Sequence, residues 1–198
     1  MFGPLKKLLD DFFGALKDYA NHRPMWLLGA VTAIAIELFS VGFFQKYLGL
    51  RPCEYCVVIR FDTLVVALGG LIAFIKPSSW FIRIPGLVVS FYGAIAGLLN
   101  TLALEAIYLK SQYLPGYITV CRAGQMRFPF KLRPDKWFPF HFSPEAICGE
   151  DPVWSFLGFT MTQWLIIIFI FMLIALTLAF IAPFVNTRPK LAENTSLD

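Results

Sequence analysis

Two cysteines three residues apart, Cys53 and Cys56, stand at the mouth of an apolar run in the stretch Arg51-Pro52-Cys53-Glu54-Tyr55-Cys56-Val57-Val58-Ile59-Arg60. Proline biases the residue before it away from helix, and the apolar run begins at Val57, so the spacing predicts that Cys56 lies in the first turn of a helix. Unpaired backbone N–H groups at that end of a helix favour a thiolate. Arg60 follows Cys56 by four residues, about 6 Å along the same helix face, so its guanidinium can lie beneath the sulfur and stabilise negative charge. A thiolate so placed is a nucleophile at neutral pH, and the chemistry open to it is thiol–disulfide exchange. The remaining cysteines, Cys121 and Cys148, lie in a later segment with 26 residues between them. Four cysteines allow two disulfides or one four-thiolate metal site, and the compartment decides between them.

The elements that must position these residues are apolar. Of 198 residues, 58% are hydrophobic, 15% are charged and 21 are phenylalanine, which a soluble core of this length does not need. The net charge of +4 is carried by scattered basic residues, which argues against nucleic acid as a partner. Four runs are long enough to cross a hydrocarbon core, about 25–44, 56–75, 84–104 and 164–182, giving an all-α membrane protein built as a four-transmembrane-helix bundle. Residues 1–24 mix Lys6, Lys7, Lys17 and Arg23 with Leu and Phe and read as an amphipathic lead-in; no small-residue cleavage site marks a signal peptide. Residues 183–198 form a polar tail.

Within the crossings three features stand out. Glu37 is the one charge in the first run, and the plain reading, a protonated or hydrated acid, is preferred over a functional one. Arg60 and Asp62 are two residues apart, on different sides of the second helix, and are not an obvious ion pair. Gly93 and Gly97 form a GxxxG pair in the third run, for which close helix packing is the plain explanation. Residues 105–162 make one long non-membrane loop with six prolines and both later cysteines. Its Phe128, Phe130, Trp137, Phe138, Phe140 and Phe142, interleaved with Lys131, Arg133 and Lys136, suit either the membrane interface or an aromatic mini-core.

An even number of crossings puts both termini on one side and all four cysteines on the other. Lys and Arg divide equally between the sides, but long loops count less, so the short segments favour cytoplasmic termini. In a bacterium the cysteines then face the oxidising periplasm, where disulfides are favoured over a thiolate metal site. Two cysteine pairs on one side of a membrane, one in a loop and one at a helix mouth, make a relay that electrons enter at the loop. The sequence carries neither a GxGxxG nucleotide motif nor a haem CxxCH, and only His22 and His141 as imidazoles, leaving a lipid-soluble quinone as the acceptor within reach of Cys56.

This pattern resembles the DsbB family of bacterial disulfide-generating inner-membrane proteins over residues 25–182, and Pro52 to Arg60 is similar to its DsbI branch. The resemblance implies a protein-dithiol:quinone oxidoreductase. Cys121 would take the attack of a periplasmic thioredoxin-fold thiol oxidase of DsbA or DsbL type, and Cys148 would pass the electrons to Cys53. Cys56 would be the thiolate facing ubiquinone or menaquinone, with Arg60 in support. One departure stands out: Glu105-Ala106-Ile107-Tyr108, after the third crossing, lacks the histidine that the family's best-known member has near the quinone. The competing reading is a non-catalytic scaffold or transporter subunit braced by two structural disulfides. In that reading Arg60 is a snorkelling interface anchor. Vitamin K epoxide reductase relatives are set aside because their loop pair precedes the CxxC, the reverse of the order here.

Overall fold

The computed structural model describes Gly14, residues 20–113, Phe128, residues 132–146, Cys148 and residues 154–184. Helix α1 spans Arg23–Phe39, with Pro24 in the first turn where its missing N–H is no loss, and continues as wider π-helical turns over Ser40–Tyr47. A reverse turn through Gly49, at φ +66°, leads to Cys53 and to α2, Glu54–Ile75. The short turn Lys76–Ser79 reverses the chain into α3, Trp80–Tyr113. Beyond it come two single turns, α4 (Pro134–Trp137) and α5 (Pro139–Phe142). A two-residue hairpin follows, β1 (Ser155–Phe156) with β2 (Phe159–Thr160), and then α6, Met161–Ile181, with a closing 3-10 turn to Phe184. Four of these helices are long and apolar enough to cross a membrane, so the chain is the expected all-α four-helix membrane bundle, with the hairpin as its one strand pair among the described residues.

Several boundaries differ from the sequence reading, among them the start of the third helix, at Trp80 rather than Ile84. The third helix does not stop at Leu104 but runs on to Tyr113, and the last begins at Met161 rather than Trp164. Glu105, read as the end of a crossing because it is charged, accepts a hydrogen bond from Gln163 Nε2 at 3.0 Å and others from the hydroxyls of Thr160 and Thr162. Its carboxylate thus lies against the N-terminus of α6, where negative charge is favourable, and α3 need not unwind to solvate it. Thr160 caps α6 and Gln163 reaches back to the Thr160 N–H, a reciprocal capping box that starts the helix three residues before its first tryptophan. Most of the lead-in 1–24 and nearly all of the tail 183–198 lie outside the described residues.

α1 packs on α2, α2 on α3 and α3 on α6, while α1 and α6 make at most marginal contact, so the bundle is open along one side. Glycines set the closest approaches. A Cβ on Gly93 would fall 2.7 Å from the Asp62 carbonyl oxygen on α2, and one on Gly97 would overlap the Phe169 ring on α6. The GxxxG pair therefore serves two neighbours at once, Gly93 receiving α2 and Gly97 receiving α6. Asp62 does not pair with Arg60; it accepts a hydrogen bond from Asn100 Nδ2 at 2.7 Å, joining α2 to α3. At the far end from the cysteines, buried Arg83 donates to Asn21 Oδ1 at 3.2 Å and to the Ala179 carbonyl, and lies over the Trp26 ring.

The Gly97–Phe169 contact gives a direct stability test. Gly97→Val should destabilise the detergent-solubilised protein by about 1–3 kcal/mol through overpacking, read as a lower thermal midpoint. Phe169→Ala should recover part of the loss when combined with it, the non-additivity of a direct contact. Gly29→Ala, at a position with open space around it, should leave the midpoint unchanged.

Candidate active site

The local geometry of the CxxC follows from the helix start. Cys53 is the N-cap of α2, extended at φ −82° and ψ 171°, and its sulfur accepts from the Cys56 N–H at 3.3 Å. Cys56 is in the first turn, as the sequence implied, but its own N–H is spent on the Cys53 sulfur. The two sulfurs lie 2.6 Å apart and both residues are free thiols. The hydrogen bond to Cys56, and then burial, push the Cys53 thiol above the usual thiol range, so Cys53 keeps its proton and donates it toward Cys56. Cys53 is buried and Cys56 half-buried.

The long loop is docked on this turn. The Glu145 and Ala146 N–H groups both donate to the Pro52 carbonyl, at 2.8 and 3.3 Å, and Ala146 pairs with Cys53 as a parallel bridge. Two residues further on, Cys148 is disulfide-bonded, 4% exposed, and packed in one buried cluster with Cys53, Ile59, Leu104 and Phe169, which Cys56 and Leu165 flank. Cys121 lies outside the described residues. The loop aromatics divide: Phe128 and Phe142 are buried against Val57 and Phe61 as a mini-core, whereas Trp137, Phe138 and Phe140 are exposed, as interface residues are. Phe130 is outside the described residues.

Below Cys56, Arg60 is 6% exposed, which removes the reading as a snorkelling anchor. Its Nη1 donates to Gln45 Oε1 at 3.1 Å and to the His141 carbonyl at 3.5 Å, and its Nε is 3.7 Å from Glu37 Oε1. Glu37, read as a protonated or hydrated acid, is 4% exposed and so not hydrated; it lies beside Arg60, with Oε1 2.9 Å from His141 Nε2. Glu37 and Gln45 are eight residues apart, which in a regular helix turns them about 80° away from each other. The wider turns of Ser40–Tyr47 advance less per residue and return Gln45 to the face of Glu37, so both meet Arg60. Glu105-Ala106-Ile107-Tyr108 is plain helix in α3, and the imidazole at this site comes instead from the loop, from His141 on α5. The sequence reading noted His141 without placing it; the signal it passed over was the intramembrane charge at Glu37, which needs a partner.

Along the open side of the bundle, between α1 and α6, an apolar cavity of about 540 Å³ is lined by Ile36, Phe39, Phe43, Trp154, Trp164 and Leu165 among others. The hairpin forms its rim. Leu157 and Gly158, at φ 52° and 82°, make the tight turn, and Trp164 Nε1 donates to the Phe156 carbonyl at 3.1 Å. Leu165 belongs both to this cavity and to the cluster around the cysteines.

The family model described as "Disulfide bond formation protein DsbB" matches residues 22–179. A disulfide bond formation protein B from Aeromonas hydrophila is 38% identical over 173 residues, covering 87% of this chain and 96% of its own. One from Haemophilus influenzae is 34% identical over 175 residues, covering 88% and 95%. A Campylobacter fetus protein that carries the name protein-disulfide oxidoreductase DsbI is 35% identical over 146 residues, covering 74% of this chain and 68% of its own. With four membrane-crossing helices, a CxxC capping the second and a disulfide-bonded loop cysteine packed beside it, the chain belongs to the DsbB family of disulfide bond formation proteins, as an integral inner-membrane disulfide oxidoreductase.

Proposed function

We propose that this protein reoxidises a periplasmic thioredoxin-fold thiol oxidase of DsbA or DsbL type and passes the electrons to membrane quinone. The observation that carries the reading is the packing of disulfide-bonded Cys148 with Cys53 in one buried cluster, the loop being held there by the Pro52 and Cys53 backbone contacts. In the first exchange a partner thiolate attacks Cys121 of a Cys121–Cys148 disulfide. The partner's second thiol resolves the adduct and leaves the partner oxidised and both loop cysteines reduced. Cys148 then attacks Cys53 of a Cys53–Cys56 disulfide, releasing Cys56 as thiolate, and Cys121 resolves the bond between the loops. The loop disulfide is restored, and the electron pair rests on Cys53 and Cys56. Cys53, with its proton held, and Cys56, above the Arg60 charge, are suited to that resting pair.

The residues present fit a quinone. The ring would lie by Cys56 and Arg60, whose guanidinium offers planar donors to a carbonyl oxygen, and the isoprenoid tail would occupy the apolar cavity that Leu165 joins to the cysteine cluster. Bound there, quinone supplies a two-electron, two-proton acceptor. In this reading the termini are cytoplasmic and both cysteine pairs periplasmic.

Three measurements test the proposal. With the native cysteines replaced by serine, a membrane-impermeant thiol reagent on intact cells should label Lys136→Cys in the loop and spare Ser78→Cys in the turn between α2 and α3; the reverse pattern refutes the orientation. Cys148→Ser should accumulate a mixed disulfide between Cys121 and the soluble partner. An adduct on Cys53 instead would show that the relay runs in another order. Arg60→Ala should lower quinone affinity or turnover about ten- to hundredfold, as expected for losing one hydrogen bond to a charged group, and Arg60→Lys should restore only part of it. Unchanged quinone kinetics in Arg60→Ala, with the disulfides still forming, would place the acceptor away from Arg60.

A further inference from the structure

We propose that His141 and Glu37 together hold the proton that the electron acceptor must take up, so that a loop histidine is part of the oxidation step at Cys56; the inference rests on the quinone reading above. Closing the disulfide from the Cys53 thiol and the Cys56 thiolate releases two electrons and one proton, while turning a quinone into a hydroquinone takes up two electrons and two protons, so one further proton must come from outside the cysteine pair. The electron pair leaves through the sulfur of Cys56. The protons need groups that can hold and give them in a site with little water.

His141 and Glu37 are placed to do this. Nε2 lies 2.9 Å from Oε1, a buried oxygen with no hydrogen-bond partner, so a small turn of the imidazole would let the two pass a proton between them. The Glu37 side chain is 5% exposed and that of His141 24%, so the acid end lies deep beside Arg60 and the imidazole end reaches the watered surface. Arg60, one helical turn from Cys56, touches both: its Nε approaches Glu37 and its Nη1 the His141 carbonyl. The charged groups facing His141 are Glu37 from α1 and Arg60 from α2, while neighbouring Lys46 is engaged over the Phe140 ring. Burial, and then the Arg60 charge, hold the imidazole below its usual range, so the ring rests neutral at neutral pH and relays protons rather than storing one. His22, the other histidine, precedes α1 at the opposite end of the bundle. The sequence of events balances. Cys56 delivers the electron pair as the Cys53–Cys56 bond forms, the shared proton and one from solvent pass to the acceptor oxygens, and the proton lost by Cys53 refills the His141–Glu37 pair.

The experiment uses the full chain in detergent, reduced at Cys53 and Cys56, with two acceptors: a short-chain quinone, which takes protons with its electrons, and ferricyanide, which takes electrons alone. His141→Gln and Glu37→Gln should each slow quinone reduction at neutral pH by about a hundredfold or more while leaving the quinone KM within about threefold. The residual rate should climb as pH falls from about 8 to about 6, because solvent protons substitute, with a steeper dependence than wild type. Ferricyanide reduction should be unchanged in both variants. In the quinone-free protein, the His141 ring-nitrogen NMR signals should shift in Glu37→Gln, reporting the shared proton. Equal slowing toward both acceptors would show a structural role, and overturns the inference. So would variants that match wild type in rate and pH profile, or a His141 signal indifferent to Glu37→Gln. A wild-type protein that reduces ferricyanide but no quinone would instead sink the quinone reading itself.

Discussion

A guanidinium buried one helical turn under a reactive cysteine is the constraint on which this structure depends. Taking such a charge out of water costs several kcal/mol, and the cost is tolerable only where partners replace the lost hydration. Arg60 finds them on three separate pieces of chain: Glu37 in regular α1, Gln45 in its wide π-helical turns, and the His141 carbonyl in the loop. Each demands something of the backbone. The departure of α1 from regular helix brings Glu37 and Gln45 to one face, and the single turn α5 has to lie on the bundle for His141 to arrive.

Docking the loop for the sake of Arg60 also sets the geometry of the cysteines. From His141 the chain has only a few residues before Glu145 and Ala146 meet the Pro52 carbonyl, and Cys148 then falls among the same buried residues as Cys53. The charge site and the sulfur site are thus two ends of one docked segment. A shift of α5 would disturb both together. Phe128 and Phe142, packed edge-on around Phe61, add apolar contact to this attachment, while Trp137, Phe138 and Phe140 stay exposed where an interface can receive them.

The transmembrane bundle answers a different requirement. Without a hydrophobic driving force between helices in lipid, close packing must come from small residues, and Gly69, Gly86, Gly93 and Gly97 draw α2, α3 and α6 together. No such set joins α1 to α6 among the described residues. That side remains an apolar groove, bounded toward the cysteine side by Trp154, Trp164 and the hairpin, and its lining residue Leu165 also packs against the cysteine cluster. A bundle glued on three sides and open on the fourth would give the proposed quinone lateral entry.

Much of this was legible in the chain itself, because the signals are local. Twenty-residue apolar runs report crossings whatever their neighbours do, since no other backbone arrangement satisfies its polar groups in lipid except a closed barrel. Proline before Cys53 and an arginine four residues after Cys56 place the thiol and the charge by helix geometry alone. Even the early start of α6 was written in the Thr160…Gln163 capping box, though the reading stopped at the tryptophan. What only the tertiary structure decided depends on contacts between distant segments. Glu105 ends no helix because the N-terminus of α6 receives its carboxylate, and Glu37 is not a stray acid because His141, far later in the chain, lies against it. Burial converts each polar group into a demand for a partner, and which segment supplies that partner depends on how the loop folds back over the bundle, which no local periodicity encodes.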